Sequence, residues 1–301
     1  MNRFKLIHVL VCLGIIVATV GGCNVSEFGG SSTKHDPSGI RGKLVLTGSS
    51  TIAPLVQQMA TRFEVVHPGV RIDVQTGGSS RGIRDAQTGA ADLGMSSRKL
   101  KADELELVET TVVAWDGVAF VVHLDNGIDQ LSVQQLRDIY TGKIQSWDQV
   151  GGSKERIVVS NRASGRSELD LVSDYLKLKP GDIEADVVDG ETQQSLKTVI
   201  NNKKAITYTS VGAAQDAIDR GEKIKLLPLG NVSASPATVQ SGEFPLARPL
   251  ILISKIDASG NSDKAELIEA FLKFATSADV ADEIAGLGFV GLENKKSLSS
   301  N

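Results

Sequence analysis

Leu44-Val45-Leu46-Thr47-Gly48-Ser49-Ser50-Thr51-Ile52-Ala53-Pro54-Leu55-Val56 sets a short apolar strand against a polar turn and then a helix. Ile52, Leu55, Val56, Met59 and Phe63 recur at helical spacing, and His67-Pro68-Gly69 stops the run. The same order of parts returns at once. Residues 70–74 alternate as a strand, Gly77-Gly78-Ser79-Ser80 opens a short helix through Ala86, and residues 91–95 read as another strand. Further on, residues 108–113 and 118–122 are apolar runs flanking Trp115-Asp116-Gly117, as expected of two buried strands. Ser132 with Gln135 gives a capping box for a helix to Tyr140. Strands are expected at 157–159, 205–208, 224–227 and 250–254, helices at 167–176 and 191–200, and a long amphipathic helix from 264 to 284. Alternation of strand and helix along the whole chain predicts an α/β layer fold.

Composition narrows the chemistry. A chain of 301 residues with 41% hydrophobic content can bury the cores of one large or two medium domains. The net charge of −4 comes without any cluster of Lys and Arg, so a nucleic-acid backbone is not an expected partner. His8, His35, His67 and His123 are scattered, and Cys12 and Cys23 both lie near the start. Neither a zinc cluster nor a Cys/His nucleophile can be assembled from them, and no catalytic residue, metal or cofactor is expected. With 4% aromatic residues, stacking platforms for bases or sugars are also disfavoured. A small polar ligand fits this inventory best.

The first residues read as an address. Arg3 and Lys5 precede an apolar run over 6–20 that ends at Gly21-Gly22-Cys23, the pattern of a secretory signal peptide over 1–22. Val20-Gly21-Gly22-Cys23 resembles the bacterial lipobox, after which Cys23 would carry the lipid that anchors the protein to a membrane. Residues 23–42, rich in Gly, Ser, Thr and Asp, then serve as a flexible tether, and the folded part begins near Lys43.

Three segments carry the functional signal: Gly48-Ser49-Ser50-Thr51, Gly77-Gly78-Ser79-Ser80-Arg81-Gly82 and Ala163-Ser164-Gly165-Arg166-Ser167. Each lies between a strand and a helix start, where unpaired N–H groups and the positive end of the helix dipole favour an anion. One such turn is ordinarily a Ser or Thr helix cap. Three of them in an open α/β sheet gather at the carboxyl ends of strands and converge on one crevice. None matches a P-loop or dinucleotide fingerprint, so the expected guest is a compact oxyanion. Arg81, Arg98, Arg162 and Arg166 stand in or beside these turns as counter-charge.

These segments, together with Ala91-Asp92-Leu93-Gly94-Met95-Ser96-Ser97-Arg98, Trp115-Asp116-Gly117-Val118-Ala119, Leu136-Arg137-Asp138-Ile139-Tyr140-Thr141-Gly142-Lys143-Ile144 and Arg248-Pro249-Leu250, resemble the phosphate-binding proteins of bacterial ABC uptake systems, the PstS family. The likeness runs in order from Lys43 nearly to the C-terminus. It implies a two-lobed periplasmic-binding-protein fold of type II that closes on inorganic phosphate and hands it to a membrane permease. It also implies one lobe from 43–120 plus 222–301, the other from 121–221, and a monomeric protein held at the cell surface or in the periplasm. Ser50, Thr51, Ser79, Ser164 and Gly165 would touch the ligand, with Ser49 and Ser80 as neighbouring hydroxyls.

Two departures from the family pattern affect the site. Members commonly show R-x-x-x-S-G-T at the third turn, whereas here Arg162 stands two before Ser164 and Arg166 replaces the Thr. Arg162, Arg166 and Arg98 are each candidates for the main guanidinium contact. Some members carry an Asp that accepts the proton of bound phosphate at the position matched by Ser97. Asp116 is then the substitute candidate, with turn formation before Gly117 as its competing role. Sulfate or another tetrahedral oxyanion, a receptor that reports its ligand, and more remotely a phosphoester hydrolase are the competing functions. The hydrolase lacks a G-x-S-x-G elbow or any triad motif.

Overall fold

The computed structural model describes residues 39–256 and 263–292. The signal-peptide, tether and Cys23 readings fall almost wholly outside the described residues. No described helix is long and apolar enough to cross a membrane.

β1 (Gly42–Gly48) and β2 (Val70–Thr76) run parallel, joined by α1 (Ala53–Val66), with Leu44 opposite Ile72. α2 (Ser79–Thr88) leads into β3 (Leu93–Ser96), which pairs parallel to the other side of β1. The chain then enters β4 (Val108–His123), a single strand of 16 residues where the sequence suggested two. Beyond it come α3 (Val133–Tyr140), β5 (Val158–Arg162), α4 (Ser167–Leu176), β6 (Val187–Asp189), α5 (Thr192–Ile200) and β7 (Ala205–Ser210). α6 (Val211–Asp219), β8 (Ile224–Leu226), α7 (Pro236–Ser241), β9 (Ala247–Lys255), α8 (Asp263–Ala275) and α9 (Ala281–Gly286) complete it. The strands form one ladder in the order β2-β1-β3-β9-β4-β7-β5-β6, with β8 on β4.

Why β4 stays extended through Trp115-Asp116-Gly117 is visible in its pairing. Trp115, Asp116 and Gly117 lie opposite Pro249, Arg248 and Ala247 of antiparallel β9, and the irregularity sits earlier, between Val112 and Ala114. The ladder and a buried Arg–Asp pair outweigh the turn tendency of Asp-Gly. The expected helix over 264–284 is likewise divided. Ser277 donates to the Phe274 carbonyl (2.8 Å) and accepts from the Asp279 N–H (3.3 Å), which restarts the chain as a 3₁₀ turn before α9.

Apolar burial separates into two large clusters, which gives the fold its two lobes. Leu44, Leu46, Leu55, Met59, Phe63, Leu93, Leu252 and Phe271 form the first. Phe120, Tyr140, Trp147, Tyr208, Leu227 and Phe244 belong to the second. β4 passes from one to the other, lending Val113 and Ala114 to the first and Val118 through Val122 mainly to the second. β9 makes the return crossing beside it. The expected two-lobed α/β architecture is present, with β4 and β9 shared between lobes.

Close approach of α2 to the sheet requires Gly82. A Cβ there would lie 2.6 Å from the carbonyl oxygens of both Thr47 and Met95. Gly82→Val is therefore expected to cost at least about 1–3 kcal/mol in urea unfolding through overpacking. Gly127→Ala, at a position with open space, should stay within about 0.5 kcal/mol of the parent.

Candidate functional site

Four helices start at the carboxyl ends of parallel strands and face one another across the lobes: α1 after β1, α2 after β2, α4 after β5 and α5 after β6. At α1, α2 and α4 no side chain caps the N-terminus. Elsewhere the protein uses ordinary caps, since Ser132, Ser210 and Ser235 each accept from a first-turn N–H of α3, α6 and α7. Of the hydroxyls in the three sequence-selected turns, Ser49 Oγ accepts from the Thr51 N–H (3.2 Å) just ahead of α1, while those of the second and third turns do not cap α2 or α4. The α1, α2 and α4 ends keep the donor character and positive potential that suit an anion.

Those hydroxyls also bond to one another, partly within the first lobe and partly across to the second. Ser97 Oγ sits between Ser49 Oγ (2.8 Å) and Ser167 Oγ (2.7 Å), and its N–H donates to Ser79 Oγ (3.1 Å). Ser50 Oγ meets Thr192 Oγ1 at 3.2 Å, and the Ser80 N–H donates to the Gly165 carbonyl at 3.2 Å. Gly78, with φ +92°, makes the last contact possible, because a Cβ there would lie 2.7 Å from the Gly165 oxygen. Ser49, Thr51, Ser79, Ser97, Ser167 and Thr192 are all buried.

One guanidinium organises this cluster. Arg248, 1% exposed, donates through Nε and Nη2 to Asp116 Oδ2 (3.2 and 2.9 Å), through Nη1 to Ser167 Oγ (3.0 Å), and through Nη2 to Thr51 Oγ1 (3.2 Å) and Glu168 Oε1 (3.1 Å). Asp116 Oδ1 accepts from the Gly212 N–H (3.1 Å), so both of its oxygens are engaged away from the hydroxyls. Asp116, the sequence candidate for accepting the ligand's proton, is thus engaged by Arg248 and the Gly212 N–H. Its carboxylate is Arg248's counter-ion. Glu168, buried in the first turn of α4, accepts from the Thr51 hydroxyl at 2.7 Å. Burial alone pushes this carboxyl up, but the charges of Arg248 and Arg162 and the Thr51 hydroxyl outweigh it and hold it well below the usual carboxylate range.

The three candidate arginines differ in their partners, although Arg98 Nε and Arg166 Nη1, like two nitrogens of Arg162, are buried without a hydrogen-bond partner among the described residues. Arg98 is bound by both Glu104 oxygens (2.7 and 2.8 Å) and lies 3.1 Å from Asp170, so its charge is already matched. Arg166 pairs with Glu191 at 3.1 Å through Nη2. Arg162, 1% exposed, spends Nη1 on the Glu191 carbonyl (2.7 Å) and Ser195 Oγ, while its buried Nε and Nη2 have no hydrogen-bond partner among the described residues. Ser164 is exposed, because the turn presents Ser167 inward three residues later. Sequence reading did not single out Ser167, Glu168, Thr192 and Arg248, which belong to this buried polar cluster. Gly190-Glu191-Thr192, a short strand-to-helix turn like the other three, was the available signal for the fourth helix end.

Two lobes sharing crossing strands, with buried donors between them, define a substrate-binding protein. The chain belongs to the PBP superfamily, whose domain model matches residues 33–279. It is 28% identical to the phosphate-binding protein PstS of Bacillus subtilis over 290 residues, covering 94% of this chain and 91% of that protein. It is 27% identical to PstS of Staphylococcus haemolyticus over 307 residues, covering 98% and 94%. A putative phosphate ABC transporter substrate-binding protein from Clostridium perfringens, solved with bound phosphate, superposes with TM-score 0.75 at 25% identity, over 83% of this chain and 100% of that one. The resemblance to PstS read from the motifs is borne out.

Replacing Arg248 by Met strips two buried carboxylates of their shared cation and should lower stability by about 3–5 kcal/mol in urea unfolding at neutral pH. Glu168 supplies a pH signature as well. Its folded-state value lies below the unfolded one of about 4.3, so its stabilisation is complete above that pH and is lost as pH falls. Between about pH 5 and pH 3 the stability of wild type should therefore drop more steeply than that of Glu168→Gln; parallel slopes would show that the carboxyl is not held ionised.

Proposed function

We propose that this protein is the extracytoplasmic substrate-binding component of an ABC-type phosphate uptake system, closing its lobes on inorganic phosphate and delivering it to a membrane permease. One observation carries the reading. Helix N-termini, a cluster of buried hydroxyls and two guanidinium nitrogens of Arg162, Nε and Nη2, without a hydrogen-bond partner among the described residues meet in one place, a donor set matched to a small tetrahedral oxyanion. The phosphate named in the Clostridium perfringens structure agrees with it.

Ligand contacts in this reading come from Ser49, Ser50, Thr51, Ser79, Ser97 and the backbone of the third turn, with Arg162 as the principal cation and Ser167 in the role first given to Ser164. The membership of the two cores favours lobe crossings near Ala114–Val118 and near Ala247, which assigns residues 222–246 to the middle lobe. Cys23 is the proposed lipid anchor, and the protein acts as a monomer.

Binding without turnover follows from the same chemistry. In the cluster the hydroxyls of Thr51 (2.7 Å) and Ser167 (3.3 Å) both donate to Glu168, and a carboxylate held far below its usual range is too weak a base to generate an attacking alkoxide. Sulfate binding and ligand reporting remain the alternatives that a titration addresses directly.

Calorimetric titration should show tight binding of phosphate, weak binding of sulfate and none of an amino acid. Arg162→Met should weaken phosphate by about 10- to 100-fold, the value of a charged hydrogen bond or two. Ser164→Ala should leave affinity within about twofold. Silence with phosphate alongside heat with sulfate or an amino acid would reject the assignment.

A further inference from the structure

Arg162 is gripped from one side by the start of α5. Arginine carries its N–H groups in a flat, rigid fork. Both hydrogens of Arg162 Nη1 go to that helix, one to the Glu191 carbonyl (2.7 Å) and one to Ser195 Oγ. Ser195 is fully buried, and its own hydrogen goes to the Thr192 carbonyl at 3.1 Å, which fixes the hydroxyl with a lone pair toward the guanidinium. The turn that presents these acceptors is itself held. Gln194 Oε1 accepts from the Gly190 and Glu191 N–H groups (2.8 and 2.9 Å), the Glu191 carboxylate pairs with Arg166 at 3.1 Å, and Thr192 Oγ1 lies 3.2 Å from Ser50 Oγ of the first lobe.

The grip decides what Arg162 can do with its other edge. Glu168 Oε2 stands 3.9 Å from Nη2, beyond hydrogen-bond reach. On a flexible stem the guanidinium would close that gap of about an ångström and spend Nη2 on the carboxylate. Arg248 shows that outcome, since all three of its nitrogens are committed to Asp116, Glu168 and hydroxyls. Anchored through Nη1, Arg162 instead keeps Nε and Nη2 without a partner among the described residues. Resting on the phosphate reading above, we propose that Ser195 is a positioning residue: with the Glu191 carbonyl it holds Arg162 off Glu168, so that the Nε/Nη2 edge meets the oxyanion. Ser195 acts through the arginine and touches no guest. Its hydroxyl removes the competition between an internal carboxylate and an incoming anion before the anion arrives.

Calorimetric titration of phosphate in a double-mutant cycle tests this. Ser195→Ala should weaken phosphate about tenfold, the worth of one hydrogen bond to a charged group. Made in an Arg162→Met background, the same substitution should change affinity by less than about twofold, because nothing remains to be positioned. Wild-type affinity in Ser195→Ala overturns the proposal, and so does a loss of the same size in the Arg162→Met background, which a merely structural serine would give. Should Arg162→Met bind phosphate as wild type does, the arginine is no contact and the proposal falls with it. If a variant fails to fold by circular dichroism, nitrogen NMR of the wild type without phosphate decides: separate Nη1 and Nη2 signals for Arg162 mark a guanidinium held at one end, and a single averaged signal overturns the grip. Failure of the functional reading looks different, since wild type would then bind no phosphate at all or bind sulfate better.

Discussion

The buried charge of Arg248 is the constraint on which the arrangement turns. Removing a guanidinium from water is expensive unless counter-ions and acceptors surround it. Asp116 provides one because β4 and β9 pair it directly opposite Arg248, and Glu168 provides the other from the far lobe. A slip of one residue in that ladder would send Arg248 to the other face of the sheet and leave both carboxylates unmatched. The crossing strands, the lobe contact and the polar cluster are therefore a single problem with one joint solution.

Serine is used in two distinct ways in this chain. At α3, α6 and α7 it satisfies its own helix end, which any surface helix requires. At the cluster Ser49 meets the Thr51 N–H and also Ser97, whose hydroxyl carries the contact on to Ser167 of the other lobe.

Much of the fold was legible because its signals are local. Strand-turn-helix periodicity around Leu44–Phe63, the Ser132/Gln135 box and the apolar runs at 118–122 and 250–254 all depend on residues near in sequence. β6, α6 and α7 went unseen because they are short and borrow their stability from neighbours, as where the Ser210 cap follows β7 without a break. Trp115-Asp116-Gly117 misled for the opposite reason. Its turn tendency is real, but a partner 132 residues away in sequence overrides it. In the site, the Gly/Ser turns could be found by pattern, whereas Arg248 and Glu168 could not. Their importance lies in which charge each one neutralises, and that is decided only when the lobes meet. Ser164 and Ser167 were separable only by the turn's geometry.

The pairing of two internal arginines with two internal carboxylates has a kinetic corollary. The cluster as a whole is close to electroneutral, and the chain carries a net charge of −4. Such a molecule offers an anion no long-range attraction, and its net negative charge opposes approach, so capture relies on short, directional contacts made after arrival. Added salt screens that repulsion, so capture should quicken rather than slow as ionic strength rises.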